Sequence, residues 1–176
     1  MNYCSVCGHK VTIKIPEDDH RPRHVCENCN TIHYQNPRPI TCTLPIAPDG
    51  RIVLCRRNIE PQKDLWTLPG GFMENGETTL QGALRETWEE AEIHAETGEL
   101  LAVISLPAWD QVHIFYTVKM ADYSYSTTPE TNEIELFDEQ QIPWDELAFK
   151  TVESALKHYF HTCKTEHFVL SSSVAP

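Results

Sequence analysis

The stretch WTLPGGFMENGETTLQGALRETWEEAEI, residues 66–93, decides how the rest of the chain is read. Its first half breaks regular structure, because the paired Gly70-Gly71 and the later Gly76 mark a tightly folded loop. Its second half reads as a helix from about Thr78 to Ala91, in which Leu80, Leu84, Trp88 and Ala91 recur at spacings of four and three and would form one buried stripe. Glu86, Glu89 and Glu90 stand at i, i+3 and i+4, on one helix face roughly opposite that stripe. Like charges this close disfavour a helix by roughly a few tenths of a kcal/mol per pair. Bound divalent cations would neutralise them, and oxygen-only ligands select hard ions such as Mg²⁺ or Mn²⁺. An acidic face alone also suits a plain solvated surface.

The same stretch resembles the Nudix box: Gly, five residues, Glu, seven residues, Arg-Glu, an aliphatic, any residue, Glu-Glu, any residue, Gly, an aliphatic. The matching positions are Gly71, Glu77, Arg85, Glu86, Glu89, Glu90 and Ile93, preceded by Trp66-Thr67-Leu68-Pro69-Gly70. Two positions depart: Thr87 replaces an aliphatic residue, and Glu92 replaces the glycine just past the helix. A glycine would close the helix in a left-handed turn, whereas Glu92 must either strain there or move the terminus. The resemblance implies an α/β fold, an α/β/α sandwich around a mixed β-sheet. It implies that Glu77 pairs with Arg85 to fix the loop against the helix, and that Glu86, Glu89 and Glu90, with the carbonyl of Gly71, bind the catalytic cations. Its implied activity is hydrolysis of a nucleoside diphosphate linked to another moiety. Cations bridging such a diphosphate would neutralise its charge and lower the pKa of an attacking water. The general base is open among Glu89, Glu90 and the downstream Glu133, which would otherwise be a solvated strand-end residue. Arg57 is either a phosphate contact through its planar fork or an ordinary surface arginine.

Outward from the box, ITCTLPIA (40–47), Pro48-Asp49-Gly50 and RIVLCRR (51–57) read as two strands and a tight turn. Strands are also expected around Leu100–Leu106, over VHIFYTVKM (112–120) and over EIELFD (133–138). A closing amphipathic helix is expected from Ala148 to Thr162, with Phe149, Val152, Leu156 and Phe160 on one face.

Residues 1–36 carry Cys, His, Pro and charge without a sustained period, and Asn36-Pro37-Arg38-Pro39 marks a boundary after them. Cys4-x-x-Cys7 and Cys26-x-x-Cys29, separated by 18 residues, have the spacing of a tetrahedral Cys4 zinc site. Gly8 and Asn30, each just after a second Cys, suit a left-handed knuckle backbone. Four thiolates would leave no open position, so the expected zinc is structural and supplies folding energy. Two disulfides or a nucleic-acid-binding ribbon are the alternatives. His9, His20, His24 and His33 are spare ligands or surface histidines. The expected domains are therefore a zinc ribbon over 1–36, a Nudix domain over 37–170 and a flexible tail over 171–176.

The whole chain has 176 residues, with 14 Lys and Arg against 26 Asp and Glu, a net charge of −12. This acidity disfavours nucleic-acid and anionic-membrane partners. No apolar run approaches the ~20 residues that span a bilayer, and no secretory signal opens the chain, so a soluble, cytoplasmic protein is expected. A Nudix domain behind a zinc ribbon is also the layout of the NADH pyrophosphatases, but their Ser-Gln-Pro-Trp-Pro-Phe-Pro run is replaced here by Leu106-Pro107-Ala108-Trp109-Asp110. YQNP, LCRRNI, LWTLPGGFMENGE, RETWEEA and IPWDELAF look more like the plant-type FAD pyrophosphatases and their bacterial relatives. That resemblance implies a small-molecule nucleotide substrate, with ADP-ribose or a nucleoside triphosphate as the alternative and a non-catalytic nucleotide sensor as the rival class. Trp109, Phe115 and Tyr116 are the candidates for stacking on a base, although 115 and 116 must face opposite sides of one strand. A homodimer is expected from the family.

Overall fold

The computed structural model describes residues 1–163 and 170–173. They divide into two units, Met1–Pro37 and the rest of the chain from Arg38. In the first, β1 (Val11–Lys14), β2 (Arg23–Cys26) and β3 (Ile32–His33) form an antiparallel three-stranded sheet in that order. Few of its side chains are buried; Cys4, Val25 and Cys26 are the buried hydrophobic ones. A sheet this small cannot stand on apolar burial, which is why the cysteines matter.

The second unit is built on one mixed sheet. Its long strands are β4 (Arg38–Ile46), β5 (Ile52–Arg57), β8 (Gly98–Leu106), β9 (Gln111–Lys119) and β10 (Thr131–Phe137). Short strands β6 (Trp66–Thr67), β7 (Gly70–Phe72) and β11 (Leu170–Ser173) join them. The path runs β10-β5-β4-β9-β8-β11, with β6 on β5 and β7 on β4. Alternate residues of β5 face opposite layers. Ile52 and Leu54 pack with Val152, Ala155 and Leu156 of helix α2 (Lys150–His158), while Val53 and Cys55 pack with Ala91 of helix α1 (Thr79–Ala91). This alternation makes the α/β/α sandwich.

β4 and β5 are antiparallel but pair only at Ile46 and Ile52, so they splay into a fork. The loop before α1 enters that fork: β6 runs inward along β5 and β7 runs outward along β4. The two glycines therefore sit in short strands rather than in irregular loop, because the fork offers two free edges whose amides and carbonyls need partners. Thr43 donates its amide to the Pro69 carbonyl at the tip of this wedge (3.0 Å).

Helix α1 starts where expected, and Thr78 and Gln81 form a reciprocal capping box. Its buried face differs from the expected Leu80/Leu84/Trp88 stripe. Gly82, Ala83, Thr87, Glu90 and Ala91 are buried, whereas Trp88 is 43% exposed and stacks on His94. The helix lies so close to β4 that small side chains fill the contact: a Cβ on Gly82 would come within 2.8 Å of Thr41 Oγ1. Thr87, the first departure from the box, bonds Thr43 Oγ1 of β4 at 2.6 Å and the Ala83 carbonyl at 2.7 Å. The closing helix is shorter than expected and widens into a π turn over Tyr159–Cys163. A wholly flexible tail over 171–176 is corrected: Leu170–Ser173 pairs parallel with Ala102–Ser105, supplying partners to the edge of β8, and 174–176 lie outside the described residues.

His113 of β9 is buried, with Nδ1 3.0 Å from Thr151 Oγ1 of α2, and burial lowers its pKa to about 4. Its folded pKa lies below the unfolded ~6.5, so the unfolded chain binds more protons between those values. The stabilisation is complete above pH ~6.5 and is lost as the pH falls toward 4, by on the order of 3 kcal/mol. Denaturant unfolding across that range should show His113→Gln to be less pH-dependent than the wild type by that amount; parallel profiles would contradict it.

Candidate functional site

The wedge and the helix bring three box carboxylates around one guanidinium. Arg85 grips Glu77 with Nε (3.1 Å) and Nη2 (2.9 Å), and Nη2 also donates to the Phe72 carbonyl (3.1 Å). Nη1 donates to Glu86 Oε1 (2.7 Å) and Glu89 Oε2 (2.9 Å). The loop strand, the start of the helix and its acidic face are thus tied by one side chain. The bidentate grip of Arg85 holds Glu77 at about pH 2, so it stays ionised. Glu77 Oε1 also accepts from the Glu74 amide (2.7 Å), which closes the loop on itself.

Glu90 points the other way, under the wedge, where its Oε2 accepts from the Gly70 amide (3.0 Å). It is 8% exposed. Burial pushes its pKa up to about 7, and the neighbouring Glu86 charge adds to this, while the Gly70 amide and Arg57 act against it. Burial raises Glu86 as well, opposed by Arg85. Gly71 is required here by space: a Cβ would stand 2.5 Å from Glu86 Oε2. Among the described residues, one oxygen of each carboxylate, Glu86 Oε2, Glu89 Oε1 and Glu90 Oε1, accepts from no protein donor. An all-oxygen donor set, with burial raising the proton affinity of Glu86 and Glu90, fits a hard divalent cation, which would replace the missing donors and favour the ionised form.

Arg57, at the end of β5, donates Nε to the Pro61 carbonyl (2.9 Å), stacks over Phe149 at 5.2 Å, and is close enough to lower the Glu90 pKa. Glu133 is not brought to this cluster. It lies on the Leu54 side of β10, the α2 face, and its carboxylate is taken by Arg56 Nη1 at 2.9 Å. The alternation around Ile134 and Leu136, which face α1, carried that signal in the sequence. Sequence reasoning missed Glu130, whose charge raises both Glu86 and Glu90. Its loop is fastened to the helix end by the Ser126 amide on the Ala91 carbonyl (2.9 Å) and by Thr128 Oγ1 on the Glu90 carbonyl (3.3 Å). Trp109 is 62% exposed in a short turn between β8 and β9, whereas Phe115 is fully buried in the core.

In the first unit the sulfurs of Cys4, Cys7, Cys26 and Cys29 lie within 4.8 Å of one another. The pairs Cys4–Cys29 and Cys7–Cys26 stand 3.6 and 3.4 Å apart, too far for disulfides and close to the ~3.8 Å implied by tetrahedral Zn–S bonds of about 2.3 Å. Gly8 and Asn30 have φ of 75° and 59°. His33 Nε2 sits 3.3 Å from Cys4 Sγ, outside the set of four. Among the described residues, no helix is long and apolar enough to cross a membrane.

A loop-and-helix that gathers carboxylates around an arginine, behind a four-cysteine ribbon, defines a cation-dependent class of phosphate chemistry. Family comparison agrees: residues 2–35 match the Nudix N-terminal zinc ribbon and residues 36–163 match the NUDIX domain. The chain belongs to the Nudix hydrolase family. A crystal structure of a NUDIX hydrolase from Nitrosomonas europaea is 42% identical, with a TM-score of 0.93 and complete coverage of both chains. An ADP-ribose pyrophosphatase from Methanocaldococcus jannaschii is 32% identical over 118 residues, 65% of this chain and 68% of that protein. An NAD-capped RNA hydrolase from Pectobacterium atrosepticum is 27% identical over 122 residues, 69% of this chain but only 44% of that protein.

Glu92 caps α1 in the left-handed region (φ 52°), and its amide still closes on the Trp88 carbonyl at 2.8 Å. The helix therefore ends in place and the residue carries the strain. Glu92→Gly should stabilise the protein by about 1 kcal/mol in denaturant unfolding. Gly71→Ala should displace the Glu86 carboxylate and cut turnover at least about tenfold, with little change in melting temperature, because a side chain and not backbone must give way. Wild-type rates in that variant would show that the position of Glu86 is immaterial.

Proposed function

We propose that this chain hydrolyses the pyrophosphate linkage of a nucleoside diphosphate joined to a second moiety, with Mg²⁺ or Mn²⁺ held by Glu86, Glu89, Glu90 and the Gly71 carbonyl. The observation that carries the reading is the single oxygen on each of the three helix carboxylates, Glu86, Glu89 and Glu90, that accepts from no protein donor among the described residues. When bound, the cations supply charge neutralisation and an activated water. Arg85 and Glu77 position the loop; Glu89 or Glu90 takes the proton from water, with Glu130 the downstream carboxylate instead of Glu133. Arg57 contacts a phosphate, and Trp109 offers a stacking surface for a ring. The ribbon holds one structural zinc through Cys4, Cys7, Cys26 and Cys29, and the active form is a homodimer.

An FAD-like dinucleotide is the favoured substrate. ADP-ribose is the second reading, supported by the ADP-ribose pyrophosphatase of Methanocaldococcus jannaschii. The test is incubation with FAD, NADH, ADP-ribose and nucleoside triphosphates in Mg²⁺ or Mn²⁺, following release of AMP and phosphate. FAD should be cleaved fastest, and Glu90→Gln should lower the rate by about two orders of magnitude or more while the protein stays folded. Tight nucleotide binding without turnover of any member would replace the enzyme with a sensor.

A further inference from the structure

The four ribbon sulfurs do not have equal surroundings. One sulfur of each knuckle meets a side-chain donor: Thr31 Oγ1 stands 3.1 Å from Cys29 Sγ, and His33 Nε2 stands 3.3 Å from Cys4 Sγ. A metal-bound thiolate carries no proton, so at both contacts the oxygen or nitrogen is the donor. Backbone amides serve three of the four sulfurs as well. Val6 reaches Cys4 at 3.4 Å, Thr31 acts on Cys29, and His9 acts on Cys7. Cys7 and Cys26 have no side-chain donor among the described residues, and their sulfurs face each other at 3.4 Å.

Burial divides the set differently. Cys4 and Cys26 are 4% and 0% exposed, whereas Cys7 and Cys29 are half-buried. Cys4 is therefore both covered and held by a side-chain donor, Cys26 is covered only, and Cys29 is held only. Cys7 has neither protection. Zinc keeps all four as thiolates, so what separates them is access and the electron density left on sulfur. A side-chain donor draws on the lone pair that an incoming electrophile needs, and such charge-assisted bonds are among the stronger ones in proteins.

We propose that Cys7 is the modification site of the ribbon, the thiolate at which a peroxide opens the zinc site, with Cys26 as its resolving partner. This rests on the reading of the four cysteines as a zinc site. The Cys7 sulfur attacks one peroxide oxygen, the O–O bond breaks, and the departing hydroxide takes a proton to become water; Cys7 is then a sulfenic acid. The Cys26 thiolate attacks that sulfur and displaces a second hydroxide, which is protonated in turn, leaving a Cys7–Cys26 disulfide. Two electrons pass from the sulfur pair to the peroxide. Cys4 and Cys29 alone do not complete a tetrahedral site, so the metal and the folding energy it supplies are lost together.

The test uses the full chain loaded with zinc, whose content is measured first. Substoichiometric iodoacetamide is added, the alkylated cysteine is located by peptide mass mapping, and zinc release is followed with a chromogenic chelator. Among the four ribbon cysteines, Cys7 should be labelled on the order of tenfold ahead of the next, with zinc released in step. Hydrogen peroxide in place of iodoacetamide should yield the Cys7–Cys26 disulfide. Thr31→Val, which removes the hydroxyl and keeps the shape, should bring Cys29 labelling to within about threefold of Cys7, while Thr31→Ser keeps the wild-type pattern. Wild-type labelling led by Cys29 or shared evenly with it, a Cys4–Cys29 disulfide, or a zinc-loaded Thr31→Val protein labelled like the wild type overturns the assignment of Cys7 and leaves the zinc site standing. If Thr31→Val loses its zinc, the wild-type map alone decides. A wild-type protein that retains no zinc when supplied with it removes the zinc reading and this one together.

Discussion

The second unit turns on the guanidinium of Arg85. Among the described residues it is the one cation in contact with Glu77, Glu86 and Glu89, and it reaches the Phe72 carbonyl as well. Without it, the loop wedge and the helix would each present carboxylates to the other, and charges this close and half-buried are not screened away by solvent. With it, the cluster is tied together but still over-supplied with negative charge. That excess is useful: a fully compensated site would have no remaining affinity for cations, and an uncompensated one would not close.

The fork between β4 and β5 is the complementary constraint, because it decides what stands beside the cluster. Had the two strands paired along their length, no edge would have been free to receive β6 and β7. The Gly70 amide would then not reach Glu90, and Gly71 would not lie against Glu86. A side chain at Gly71 would displace the Glu86 carboxylate, which already fills the space a Cβ would take. Thr87 answers a different demand of the same interface: its hydroxyl donates to the Ala83 carbonyl within the helix and, against β4, accepts from Thr43 directly opposite. The departure from the box at 87 is therefore matched by a residue 44 positions earlier.

Features set by local chemistry were legible in the sequence. The cysteine knuckles followed from spacing and from Gly8 and Asn30, and the helix start was placed at about Thr78, where the structure adds the reciprocal bond with Gln81. What failed was any judgement that needed a partner distant in the chain. The stripe of Leu80, Leu84 and Trp88 obeyed helical periodicity, yet a helix pressed on a sheet buries its smallest residues, and Gly82 and Ala83 do not stand out in a hydrophobic pattern. The short strands at 66–67 and 70–72 have too little length to announce themselves, and the second opens on two glycines; they exist because a fork elsewhere leaves edges open. Glu133 was the natural downstream candidate by residue type, but strand alternation turns it toward Arg56 and leaves Glu130, on the preceding loop, near the helix.

Net charge takes on structure once the fold is known. Glu77, Glu86, Glu89 and Glu90 gather at the loop and helix, and Arg57 lies near enough to lower the Glu90 pKa. An acidic protein meets an anionic substrate through local contrast: the field over most of the surface repels it, and the approach is favourable only where guanidinium groups and bound cations reverse the sign.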